Sequence, residues 1–143
     1  MTDNFQARSV EIGKTYESHV ASYIESMGFT IVGLNVEHPS GVQFDIHAKD
    51  NLGFEVGVEC KAGSHESKWP GMRRTDNVWK VGGYLFQMAH WGRKNPDAVM
   101  PRYVVATTDM PESGTKWARM LQEWQLYGHV EFMQIPYPTE RAA

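Results

Sequence analysis

The sequence predicts an α/β domain with a central mixed β-sheet of about five strands flanked by helices. Three observations predict it. Segments with apolar residues at helical spacing interleave with short runs rich in β-branched residues. Their order along the chain is helix, three strands, helix, strand, helix, strand. At 143 residues the chain has room for one compact domain with its own core, and no repeat or low-complexity linker divides it. Residues 1–143 are therefore read as a single domain, with 1–12 and 137–143 as loose termini.

The first element follows from Tyr16, Val20, Ile24 and Met27, which recur as one buried helical stripe that Gly28 ends. Glu17 flanks this stripe. Phe29 to Val36 reads as the first strand, closed by a Glu-His-Pro-Ser-Gly turn. Residues 42–48 alternate: Val42, Phe44, Ile46 and Ala48 are expected on one face, and Gln43, Asp45 and His47 on the other. Lys49 to Gly53 forms a tight connection to a third strand, Phe54 to Lys61. Residues 62–74 form a basic loop. Thr75 or Asp76 is expected to cap a second helix running to about Trp91, with Val78, Val81, Leu85 and Met88 as its buried stripe. Gly82-Gly83 inside it costs about 2 kcal/mol relative to two alanines, which points to close approach to the sheet or a kink. Arg102 to Thr108, Thr115 to Tyr127 and Val130 to Ile135 complete the order as strand, helix and strand.

Composition narrows the function classes. The single cysteine, Cys60, cannot form an internal disulfide, and no basic lead followed by an apolar run suggests export, so a cytoplasmic setting is expected. No stretch approaches the roughly 18 continuous apolar residues of a membrane span. Net charge is −3, yet Lys61 to Lys94 holds seven Lys or Arg against two acids. The positive potential is concentrated beside one strand end. The six histidines show no zinc-ligand spacing, and Ser64 and Ser67 have no placed base.

That strand end is Val56-Gly57-Val58-Glu59-Cys60-Lys61. Glu59 and Lys61 project from one face, with Val58 and Cys60 on the other. Two readings stand at this point: a surface ion pair, or an acid and a base aimed at one reacting group. Asp45 lies on the neighbouring strand with compatible parity, in a mid-strand position where aspartate is disfavoured. Two carboxylates, a phosphate and waters are the usual ligands of Mg²⁺, a hard ion that keeps much of its hydration.

Glu17, then Phe44-Asp45, then Glu59-Cys60-Lys61 resembles the pattern of the PD-(D/E)XK nucleases over roughly residues 13–92. Within that superfamily, Gly13 to Lys61 looks most like small Holliday-junction resolvases and Mrr-type nucleases. The shared features are a helix carrying a glutamate, a Gly-Phe step, an aspartate and Glu-x-Lys. Phe44 stands where the family often has proline. Gln87-x-x-x-Trp91 is loosely similar to a Gln-x-x-x-Tyr motif of RecB-like members.

The resemblance implies a restriction-endonuclease-like fold in which Glu17, Asp45, Glu59 and Lys61 form the catalytic set. Asp45, Glu59 and the Cys60 carbonyl would ligate Mg²⁺, with Mn²⁺ as a substitute, while Lys61 positions water and Glu17 assists. The expected activity is Mg²⁺-dependent hydrolysis of DNA, by an endonuclease of DNA processing, recombination or restriction, junction resolution included. Lys68, Arg73, Arg74 and Lys80 would grip phosphates and Trp69 would stack on a base. The expected partner is branched or duplex DNA, and the pattern is compatible with a symmetric homodimer. The alternative is a catalytically silent nuclease-like fold that binds nucleic acid or a protein, and RNA stays open as a substrate.

Overall fold

Tyr16, Val20 and Ile24 lie one turn apart and are almost wholly buried on α1, a helix spanning residues 15–26. The computed structural model describes residues 15–63 and 70–137. Met27 was expected to extend the stripe but is 44% exposed, because the helix has already ended. Gly28, at φ 98°, donates to the Glu25 carbonyl while Phe29 donates to Ile24. This is a Schellman stop, and only glycine adopts that φ at little cost.

Five strands follow: β1 (Thr30–Glu37), β2 (Gln43–Lys49), β3 (Glu55–Lys61), β4 (Arg102–Thr107) and β5 (Glu131–Gln134). They form one sheet in the order β1-β2-β3-β4-β5. The first two pairings are antiparallel and the last two parallel, so the sheet is mixed as expected. The antiparallel half needs only tight turns. The β2–β3 connection is held by Asp50, whose Oδ1 accepts from the Leu52 and Phe54 amides. The parallel half needs crossovers, which α2 (Thr75–Lys94) and α3 (Lys116–Leu126) supply.

Two apolar clusters sandwich the sheet. One joins α1 to Ile46, Ala48, Val56, Val58, Val104 and Ala106, and the Tyr16 hydroxyl donates to the Ile135 carbonyl at 2.7 Å. The other joins Val78, Val81 and Met88 of α2 and Leu121 of α3 to Val42, Phe44, Tyr103 and Val105. The expected alternation of β2 therefore fails at its middle. Val42 and Phe44 belong to one face of the sheet and Ile46 and Ala48 to the other. The Phe44 ring covers Gly57, where a Cβ would lie 2.6 Å from the ring carbons.

The second helix also departs from expectation at its start. Arg74 occupies the N-cap without a side-chain cap, so neither Thr75 nor Asp76 has that role. The preceding turn is tied instead by Asn77, which donates to the Gly71 carbonyl, and by Met72 N, which donates to Thr107 Oγ1. Gly82 is explained by Trp124 of α3, 3.2 Å from where its Cβ would sit, rather than by the sheet. Gly83 faces open space. Trp79 is 60% exposed, whereas Trp117 and Trp124 pack against the core.

The crowded Gly57 and the open Gly83 lead to opposite expectations on substitution. In urea unfolding, Gly57→Ala is expected to destabilise the protein by about 1–3 kcal/mol through overpacking against Phe44. Gly83→Ala is expected to stabilise it by roughly 0.5–1 kcal/mol through helix propensity alone.

Candidate active site

The last residues of β3 run between an antiparallel and a parallel neighbour. On the parallel side Glu59, Cys60 and Lys61 pair with Val105, Ala106 and Thr107. On the antiparallel side the ladder pairs Ile46 with Val58, which brings Asp45 beside Glu59. The Cys60 amide donates to Asp45 Oδ2 at 2.8 Å. A side-chain carboxylate thus accepts where a regular ladder uses a backbone carbonyl. This local departure coincides with the change of face between Phe44 and Ile46.

Glu59 is only 7% exposed. Its burial, followed by the Asp45 charge beside it, pushes its carboxyl up to about 8, while Lys61 pulls the other way. Lys61 Nζ lies 3.4 Å from Glu59 Oε1 and 5.9 Å from the centre of the Tyr84 ring, with its side chain largely buried. Burial raises the Cys60 thiol, and the charges of Asp45, Glu17 and Glu59 add to that rise. Cys60 packs against the α1-side cluster, as its apolar parity predicts. Glu17, half-buried on α1, is therefore near enough to act electrostatically on the end of β3.

A cavity of about 440 Å³ opens over the pair, with Asn35, Gln43, Asp45, Glu59, Tyr84 and Gln87 in its lining. Gln87 donates to the Ser40 carbonyl at 2.9 Å, fixing the turn between β1 and β2 to α2. Trp91, four residues on, packs edge-on against His38 and not in this cavity. Sequence reasoning missed Asn35, Gln43 and Tyr84. The signal for Asn35 was a lone polar residue within a β-branched run; Tyr84 had none, because its position follows from how α2 packs.

His47, expected on the same strand face as Asp45, does not line this site. It pairs with Glu55 and lines a different cavity with His38, Phe44 and Pro101. Of the basic residues assigned to nucleic acid, Lys68 and Trp69 lie outside the described residues. Arg73 bonds Glu112 at 2.9 Å, Arg74 bonds both oxygens of Asp76, and Lys80 lies 3.7 Å from Asp76. Arg73 and Arg74 line a separate cavity of about 510 Å³ with Thr75, Asp76, Glu112 and Trp117. Their charges are thus partly neutralised within the chain, by an acid outside the basic segment in the case of Arg73.

Among the described residues no group of three or more His, Cys, Asp or Glu could hold a metal ion. The cleft offers two adjacent carboxylates instead. That oxygen-only, incomplete set fits a hard cation that keeps several waters, and it does not fit zinc.

The raised Glu59 carboxyl gives a stability prediction. A group whose folded value lies above its unfolded one, 4.5 here, stabilises the fold fully below the unfolded value and loses that contribution as pH rises through about 8. Glu59→Gln, which mimics the neutral acid, is expected to match wild type near pH 4.5. In metal-free buffer at pH 9 it should melt higher by about 3 °C or more, corresponding to at least ~1 kcal/mol. Thermal melts across that range check it.

No family model and no curated protein matches the chain. Among solved structures, the chain is similar to EndoMS in complex with double-stranded DNA, with a TM-score of 0.52 and 17% sequence identity. The match covers 88% of this chain and 46% of that one, so this chain spans less than half of that protein's length. The likeness is one of fold: a mixed α/β sheet flanked by helices.

Proposed function

We propose that the chain is a metal-dependent nuclease that hydrolyses DNA phosphodiester bonds. One observation carries the proposal: Asp45, Glu59 and Lys61 converge at the end of β3, two of them in the lining of an open cleft. The fold is shared with a protein whose structure contains double-stranded DNA, which supports DNA as the partner.

Asp45 and Glu59 would hold Mg²⁺, with the Cys60 carbonyl as a further oxygen ligand, and Mn²⁺ would serve in its place. Such an ion supplies Lewis-acid stabilisation of phosphoryl charge and lowers the pKa of a bound water. Lys61 carries the chain's own contribution beside the carboxylates. Its ammonium, held between Glu59 and Tyr84, offsets negative charge developing on a phosphate in the cleft and orients the attacking water. Glu17 acts from α1 by its charge. Endonucleolytic action, including on DNA junctions, and a cytoplasmic setting belong to the same proposal. Among the described residues no helix is long and apolar enough to cross a membrane.

The ion pairs of Arg73, Arg74 and Lys80 favour a second reading, a catalytically silent nuclease-like fold that binds a partner. Incubation with junction, duplex and single-stranded DNA, and with RNA, in Mg²⁺ or Mn²⁺ separates the two. Wild type is expected to cleave at least one DNA substrate. Asp45→Asn, Glu59→Gln and Lys61→Ala should each slow cleavage by about 100-fold or more while retaining DNA binding. Cleavage of nothing, or cleavage indifferent to all three substitutions, overturns the nuclease reading. Arg73→Ala and Arg74→Ala are expected to weaken binding and each to lower the salt-dependence slope by roughly one.

A further inference from the structure

Asn35 is the single non-glycine residue with a left-handed backbone among the described residues, at φ 53°. It sits within β1, between Leu34, which pairs with Ile46, and Val36, which pairs with Phe44. That register sets it across from Asp45, where β2 changes face. Its exposed side chain lines the same cavity as Asp45 and Glu59. The backbone conformation alone would be met better by glycine, which adopts it without a Cβ penalty. Asparagine at this point adds a carboxamide, an uncharged donor that does not repel a phosphate or compete with two carboxylates for a cation.

We propose that Asn35 is a substrate-binding residue of the candidate site, whose carboxamide NH₂ donates to a phosphoryl oxygen of a nucleic-acid strand lying in the cavity; this rests on the nuclease reading. The edge strand β1 then forms the rim of the cleft facing α2, from which Tyr84 and Gln87 form the other side. Asn35, Tyr84 and Gln87 would thus frame the strand from two sides.

Three variants test it. Asn35→Gly keeps the left-handed backbone and removes the amide, so it should melt at or above the wild-type temperature. It should lose about ten- to a hundredfold in kcat/KM and weaken DNA binding in fluorescence anisotropy, equally across DNA sequences. Asn35→Asp places a third carboxylate on the cavity and should bind Mn²⁺ about tenfold tighter by calorimetry without DNA. Asn35→Ala, strained at this φ, should melt lower than Asn35→Gly.

Wild-type binding and cleavage by Asn35→Gly, with Mn²⁺ affinity unchanged in Asn35→Asp, would reduce Asn35 to a backbone role and overturn the proposal. A binding loss confined to one base would overturn the phosphate contact in favour of base reading. If wild type cleaves nothing, weakened DNA binding by Asn35→Gly and tighter Mn²⁺ binding by Asn35→Asp still uphold the contact, and the nuclease reading alone falls.

Discussion

The hydrogen bond from the Cys60 amide to the Asp45 carboxylate is the constraint on which the arrangement depends. A buried strand amide must find an acceptor, and here a charged side chain provides it in place of the neighbouring backbone. The substitution has two consequences. It accompanies the face change that sends Phe44 over Gly57 into the cluster beneath α2, so both sides of the sheet receive apolar cover from one strand. It also anchors Asp45 at the cleft, beside the nearly buried Glu59. The irregularity in the sheet and the candidate site are one feature.

Electrostatics distinguish the two ends of the sheet. At one end Arg102 bonds Asp50 and Glu131, joining the β2–β3 turn to the starts of β4 and β5. There one guanidinium donates to two carboxylates from different elements, Arg102 and Glu131 are well exposed, and such pairs contribute little net stability. At the other end Asp45 and Glu59 line a cleft, and the largely buried Lys61 ammonium lies 3.4 Å from Glu59. Burial, and after it the Asp45 charge, lifts the proton affinity of Glu59 far above that of an ordinary carboxylate, and Lys61 offsets only part of that rise. A structural ion pair would be arranged the first way. The second arrangement suits a site that binds something positive, and that contrast supports the proposed metal-binding role over a surface ion pair.

Much of the architecture was legible because it depends on short-range pattern. Tyr16, Val20 and Ile24 marked α1, Gly28 marked its end, and the β-branched runs marked the strands within a residue or two. The convergence of Asp45, Glu59 and Lys61 could be anticipated from strand alternation, though for Asp45 the alternation was not the full reason. Strict parity also set His47 on the face of Asp45 and Phe44 beside Ile46, and both placements failed at the same irregular point. The rule assumes an unbroken ladder, and nothing local announces that a side chain has taken over from a carbonyl.

The sequence by itself determined the element order, the α1 stripe and its stop, and the residue types able to bind a hard cation, because these follow from chain-local geometry and side-chain chemistry. Only the tertiary structure decided which charges remain unmatched. Arg73 finds Glu112, nearly forty residues away, and Asn35 reaches the cleft from β1 while Tyr84 reaches it from α2. Ion pairing and cavity lining depend on distances across the fold, and no linear spacing encodes them.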